Sequence, residues 1–448
     1  PLIELTRSGT ARAGEAAAGA LSDLAVKADN KVAIAAEGGI APLIELARSG
    51  TAGAMQEAAG ALAKLAVNAD NQVAIAAEGG ILPLIELTRS GTASAKQEAA
   101  GALAKLAVNA DNQVAIVVEG GITPLIELTR SGTAGAVQEA AGVLRNLAVN
   151  ANNKVAIAAE GGILPLIELL RSGTAGAMQE AAGALSTLAV NADNRLAIAA
   201  EGGILPLIEL ARSGTTFAKE LAAGALATLA CNADNRLAIA AEGGIAPLIE
   251  LARSGTAVAK ELAAGALATL AVNADNQAAI AAEGGITPLI ELTRSGTAGA
   301  VQEAAGVLRN LAVNANNKVA IAAEGGILPL IELARSGTAG AMQEAAGALS
   351  NLAVNANNQV AIVAEGGILP LIELTRSGTA FATELAAGAL RSLACNDDNQ
   401  VAIAAAGGIE ALFELTRSGT DSAKEGAAEA LQNLAGGIEA LVARVQGG

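Results

Sequence analysis

The chain has no histidine, no tryptophan and no tyrosine, only two cysteines and only three phenylalanines, Phe217, Phe381 and Phe413. Each absence excludes something. Without histidine there is no Ser-His-Asp or Cys-His machinery and no histidine-ligated metal. Two lone cysteines cannot make a zinc site. There is no G-x-G-x-x-G and no P-loop, so the familiar nucleotide cradles are missing too. Without aromatics, small aliphatic side chains must fill the core, which suits thin layers of closely spaced helices rather than an ordinary globule. The longest charge-free run, Ala345 to Ala364, carries Asn351, Asn355, Asn357, Asn358 and Gln359, which is wrong for hydrocarbon. Neither a membrane span nor a targeting peptide is expected.

The formal net charge is −16. Nucleic-acid affinity comes largely from Lys and Arg neutralising phosphates, so this balance argues against a nucleic-acid partner. It favours basic protein partners, or simply keeps a long Ala-rich rod in solution. No cofactor is expected. Cys231 and Cys395 occupy the same slot of two repeats that lie four repeats apart, a slot that holds Val elsewhere. That separation is too great for a disulfide. The expected role is a small buried hydrophobe, in a reducing, intracellular and cytoplasmic setting.

What is present is one pattern, many times over. Pro-Leu-Ile-Glu-Leu begins at Pro1, Pro42, Pro83, Pro124, Pro165, Pro206, Pro247, Pro288, Pro329 and Pro370, always 41 residues apart, and a variant begins at Ala411. All ten prolines sit at this one position. Within a unit, Pro42 suits the first turn of a helix. Leu43, Ile44 and Leu46 form that helix's apolar side, and Glu45 and Arg48 an exposed pair. Thr51 is the expected N-cap of a long helix, roughly Ala52 to Val67, with Ala58, Ala59, Leu62, Leu65 and Ala66 at helical spacing. Asn68 to Asn71 makes a turn into a short helix, Gln72 to Glu78. Gly79-Gly80 closes it with left-handed backbone angles. Residues 124–164 and 288–328 are identical, so a four-repeat block of 164 residues was copied. Gene duplication and engineered consensus construction both fit that copying, and the scattered irregular substitutions, including the two cysteines, favour a natural origin.

Three helices of unequal length in about 40 residues, with Gly-Gly and then Pro between two of them, resemble the armadillo repeat. The motif Glu-Gly-Gly-Ile-Leu-Pro-Leu-Ile-Glu-Leu (Glu78 to Leu87) is similar to armadillo repeats of plant, algal, protist and vacuolar proteins. The resemblance covers the whole chain. It implies an all-α, right-handed α-α superhelix, an armadillo solenoid of about eleven 41-residue repeats over residues 1–448. Residues 411–448 form a divergent C-terminal capping repeat, with Gln432, Glu439, Arg444 and Gln446 as its polar outer face. The opening on Pro1, part-way through a unit, reads as a trimmed start.

In armadillo proteins the long helix lines a concave groove. Import adaptors carry a Trp there with an Asn one turn later. In this chain the Trp slot is Gly in ten of eleven copies, including Gly60, Gly101, Gly142, Gly183, Gly224, Gly265 and Gly306. The Asn slot holds Lys64, Lys105, Asn146, Thr187, Thr228, Thr269 and Asn310 in those repeats, and only four of its eleven residues are Asn. One turn before the glycine stand Gln56, Gln97, Gln138, Gln179, Glu220, Glu261 and Gln302. These three columns form the expected partner-binding groove. Its glycine floor is either an open docking surface or a means for neighbouring helices to approach closely. A second candidate is apolar: Phe217, Val258 and Phe381, each four residues before a Leu, form either an intrahelical staple or an exposed docking patch.

The implied function is a non-catalytic protein–protein interaction scaffold or adaptor, a candidate structural subunit of a large assembly. It would hold an extended peptide, a helix or a subunit of basic character. The alternatives are a substrate- or cargo-recognition arm of a larger chain, a ubiquitin ligase or transport adaptor, and a designed repeat scaffold. The carboxylates recur at fixed slots, Glu45, Glu86 and Glu127 in one ladder and Glu78, Glu119 and Glu160 in another. Such ladders read as solvated faces, not as catalytic pairs.

Overall fold

The computed structural model describes the backbone of residues 1–446 and the side chains of residues 1–435. Every regular element among the described residues is a helix. The chain divides into two compact units, Pro1–Asn232 and Ala233–Gly448. Each is a stack of the same three-helix repeat.

One repeat shows why these residues form these helices. The leading helix, Ile40–Ser49, begins two residues before Pro42, which therefore sits in its first turn, where a missing N–H is tolerated. Leu43 and Ile44 are buried, and the Glu45–Arg48 pair closes at 2.9 Å on the exposed side. Gly50 ends the helix in an extended conformation. Thr51 then accepts from the Ala54 N–H at 3.2 Å and starts the long helix Ala52–Leu65. Ala58, Ala59, Leu62, Leu65 and Ala66 are fully buried. Long helices pack on their predecessors and on their own leading helices, so alanine at the contacts lets them approach closely.

The short helix is Ala69–Ala77, three residues longer at its start than the sequence suggests. Asn68 alone is the cap, accepting from the Asn71 N–H. Asn71 is not a turn residue. It is buried, and its Nδ2 donates both to Leu65 O and to Lys31 O of the preceding repeat. The same reach recurs from Asn112 to Gln72 O, from Asn153 to Gln113 O and from Asn194 to Lys154 O. In the second unit it runs from Asn276 to Arg236 O, Asn317 to Gln277 O and Asn358 to Lys318 O. A buried asparagine ladder thus joins consecutive repeats.

The Gly-Gly corner uses its two glycines differently. Gly79 has φ +75°, the left-handed conformation that closes the short helix. Gly80 is right-handed, but a Cβ there would stand 2.7 Å from the Ile75 side chain and 2.8 Å from its carbonyl. An arginine from the preceding leading helix reaches over such corners: Arg89 donates to Gly120 O at 3.1 Å and Arg171 to Gly202 O at 2.9 Å.

The last helix runs without interruption over Asp421–Gln446, so the turn and short helix of the regular repeat are absent from it. Glu439, Arg444 and Gln446, expected to give a polar outer face, carry side chains outside the described residues. Among the described residues no helix is long and apolar enough to cross a membrane.

Candidate functional site

The three predicted columns come together along the long helices. In the first unit a cavity of about 270 Å³ is lined by Lys105 and Val108 of one repeat, Gln138, Glu139, Gly142, Arg145 and Asn146 of the next, and Glu180 of the third. A neighbouring cavity of about 280 Å³ holds Gly60, Lys64, Gln97, Glu98, Gly101 and again Lys105 and Glu139. The second unit repeats the first cavity 164 residues further on, with Thr269, Val272, Gln302, Glu303, Gly306, Arg309, Asn310 and Glu344. These are shallow side-chain-sized recesses, smaller than the sites that hold drug-sized ligands. Gln179, Gly183, Thr187, Glu220, Gly224, Thr228, Glu261 and Gly265 occupy the equivalent slots of the intervening repeats.

The floor is not open glycine. Many of the glycines seat a side chain from the following repeat, and Gly183, Gly347 and Gly388 face one from the preceding repeat. A Cβ on Gly60 would meet Glu98 Oε2 at 3.2 Å, one on Gly142 Glu180 Oε2 at 3.5 Å, and one on Gly306 Glu344 Oε2 at 3.4 Å. Where that glutamate is replaced by leucine, Leu221 lies over Gly183 at 3.6 Å and Leu385 over Gly347 at 3.3 Å. Helix backbones therefore do not demand glycine here. Gly142→Ala puts a methyl at ordinary contact distance and removes the helix-propensity deficit of glycine. It should raise stability by about 1 kcal/mol in urea denaturation. Gly183→Ala should gain less, because its Cβ would stand 2.7 Å from Arg145 Cδ and push that side chain aside.

The polar groups of the groove are largely engaged with the stack itself. Asn146 Nδ2 donates to Ala104 O of the previous long helix at 2.9 Å, and Asn310 does the same to Ala268 O at 3.0 Å. Thr187, Thr228 and Thr269 donate to Gly183 O, Gly224 O and Gly265 O within their own helices. These side chains are not presented to a peptide backbone as the import-adaptor asparagines are.

What remains for a partner is charge, carried by a column the sequence columns omitted. Glu57, Glu98, Glu139 and Glu180 in the first unit, and Glu303 and Glu344 in the second, follow the Gln column by one residue. Glu180 makes a 2.6 Å charge contact with Arg145, and Glu344 a 2.8 Å contact with Arg309. Burial still pushes the Glu180 carboxyl above its ordinary value, outweighing the Arg145 attraction. Glu98 is raised first by burial and further by Glu57 and Glu139, against Lys64. Glu303 is raised by burial, then by Glu344 and Glu261. The signal was available in the sequence: a carboxylate one residue after each glutamine lies on the same side of a helix as the floor glycine three residues on.

Burial also raises Glu119, Glu201, Glu242 and Glu365, of the Glu-Gly-Gly ladder. Glu119 is half-buried, so that ladder is not uniformly a solvated face. A carboxyl raised in the folded state stabilises it below the unfolded value, and that contribution is lost as pH rises through the folded value. The melting temperature should therefore rise as pH falls from about 7 to about 5, measured by far-UV circular dichroism.

One further expectation changes. Cys231 and Cys395 are exposed, not buried. Their slot lies just past the end of the long helix, and the valines that fill it elsewhere, from Val26 to Val354, are 56–66% exposed. Val67, Val108 and Val272 stand at the lip of the cavities. Phe217, Val258 and Phe381 are about half exposed, and the leucines that follow Phe217 and Phe381 lie over glycines of the preceding repeats.

Stacked three-helix repeats, each packed on its neighbours, define an α-solenoid of the interaction-scaffold kind. A model of the armadillo/beta-catenin-like repeat matches residues 109–149, 273–313 and 314–354. The crystal structure of an engineered protein is 32% identical, with TM-score 0.83, covering 88% of this chain and 98% of that one. A second engineered protein, also 32% identical, has TM-score 0.51 and covers 52% of this chain and 97% of its own. A structure described as showing that a conserved phosphorylation switch controls the interaction between cadherin and beta-catenin has TM-score 0.79, covering 97% of this chain and 90% of that one. At 19% identity it shows the fold alone. No curated protein sequence matches. The chain belongs to the armadillo-repeat proteins.

Proposed function

We propose that the chain is a non-catalytic scaffold that holds a protein partner along its long helices, the partner being an extended segment, a helix or a subunit surface rich in Lys and Arg. One observation carries the reading. The same recess recurs in both units, each time with carboxylates from two consecutive repeats whose burial makes an incoming cation more effective than it would be at an open surface. Its size suits a side chain, and its recurrence suits a partner that offers cations at intervals. The Glu78 to Leu87 motif supports kinship with plant, algal, protist and vacuolar types. The divergence of residues 411–448 supports a capping role for that segment. Fluorescence anisotropy with labelled Lys/Arg-rich and Asp/Glu-rich peptides tests the reading. The basic peptide should bind, and binding should weaken steeply with salt. Equal binding of both peptides would remove it.

A further inference from the structure

The groove accounts for only part of a recurring exposed apolar feature of the molecule. In the first unit Val67, Val108, Val149 and Val190 stand at the end of successive long helices, each 56–65% exposed. On the other side of the same turns, six residues on, Val73, Val114 and Val155 on the short helices are 47–54% exposed. The surface is an aliphatic double column, with two side chains per repeat and the same spacing at every rung. Its neighbours on the short helices, Ala69 and Ala77, are exposed as well, and so are the aspartates Asp70 and Asp111 that stand between the two columns. Isolated exposed valines are unremarkable, but monomeric proteins rarely leave contiguous apolar patches of more than a few hundred Å² uncovered.

We infer that this double column is the contact surface for a second copy of the chain. Two arguments select that occupant. The first is periodicity. Rungs recur at the stacking distance of the repeats, roughly 8–10 Å, and a partner must match that spacing to cover several at once. A second copy carries the same spacing by construction, and a two-fold contact places each column against its equal. The second is area. A valine side chain offers on the order of 100 Å², so two roughly half-exposed aliphatic residues on each of five rungs, from Val26 and Val32 to Val190 and Leu196, give about 500–600 Å² per partner. Doubled over two copies, that reaches the roughly 1,000 Å² a specific interface must bury. The column's chemistry is kept by a substitution within it: Cys231 occupies the next rung after Val190 and is likewise exposed. Charge acts against the pairing, since two chains of −16 repel. Association of copies should therefore strengthen with salt, whereas a basic segment in the groove should weaken. Because Val108 and Val272 also line the recesses, the two partners compete, but self-association is measured with no peptide present.

The mass of the chain is measured by light scattering and sedimentation at low and high salt. The expected result is twice the single-chain mass, favoured by concentration and by salt. The Val108→Lys/Val149→Lys variant should return to the single-chain mass with unchanged helical circular dichroism, since both residues are exposed. Single-chain mass for the unsubstituted protein at every salt concentration overturns the inference, and so does a doubled mass that survives in the variant or growth into open-ended assemblies. Should the variant fail to fold, maleimide labelling of Cys231 in the unsubstituted chain decides. Labelling should slow at least severalfold where the doubled mass forms, and a rate independent of protein concentration rejects the interface.

Discussion

Asn112→Ala is expected to destabilise the chain by roughly 2–3 kcal/mol, far more than its position beside a polar turn would suggest. The side chain is buried, and its Nδ2 donates to Leu106 O at 3.2 Å and to Gln72 O of the previous repeat at 3.2 Å. Removing it strips a partner from two carbonyls in places water does not reach, and it opens a small void. The cap beside it makes the contrast. Asn109 accepts from the Asp111 and Asn112 N–H groups at an end of the helix that is open to water, so Asn109→Ala should cost about 1 kcal/mol. The two differ in kind as well as size. Only Asn112 bonds across repeats, and solenoid cooperativity depends on nearest-neighbour interfaces. Urea unfolding of Asn112→Ala should therefore show a broader transition as well as a lower midpoint. A loss equal to that of Asn109→Ala, with an unchanged slope, would count against the ladder.

Why that asparagine looked like a turn residue explains which parts of the structure were legible. Local chemistry was readable: Thr51 as a cap, Pro42 in a first turn, Gly79 as a left-handed stop, and the buried stripe of Ala58, Leu62 and Leu65 each follow from a few neighbouring residues. The functions of Asn71 and Asn112 depend on a carbonyl 40 residues earlier, which no local spacing reveals. In a repeat every slot recurs, core and surface alike, so recurrence cannot tell a buried ladder from an exposed one. The Val67 slot shows this. It follows the last buried turn of its helix but lies beyond the point where the helix fixes a side chain's direction, and so it emerges in solvent, taking Cys231 and Cys395 with it. The columns proposed for the groove were legible for the same reason that the glutamates beside them were missed. The Gln, Gly and Lys/Thr/Asn columns lie one turn apart on one face, while the Glu over Gly60, Gly142 and Gly306 comes from the next repeat.

The duplicated recess makes a sharp test of the groove. The cavities around Gly142 and Gly306 differ at one lining residue, Lys105 in the first and Thr269 in the second. In the first, Lys105 and Arg145 face Glu139 and Glu180; in the second, Arg309 alone faces Glu303 and Glu344. The second recess therefore carries one uncompensated carboxylate, and the carboxyl of Glu303 is raised by burial and by its acidic neighbours Glu344 and Glu261. An arriving ammonium or guanidinium relieves that repulsion, so a Lys/Arg-rich peptide should depend more on Glu303 than on Glu139. Close charge pairs at interfaces couple by about 1.5 kcal/mol or more, and reversing a charge replaces attraction with repulsion. Glu303→Lys should accordingly weaken the basic peptide about 100-fold, equivalent to about 2.8 kcal/mol, and Glu303→Gln about tenfold. Glu139→Gln should weaken it less than Glu303→Gln, because Lys105 already compensates that recess. Glu291→Lys supplies the control: it changes net charge equally on an exposed leading-helix face outside these recesses, and should alter binding only through its screened long-range field. The affinity should also fall as pH drops through the raised value of Glu303, since the protonated carboxyl no longer attracts a cation. Equal losses for Glu303→Lys and Glu291→Lys would mean that the peptide responds to overall charge, and the recess would not be its site.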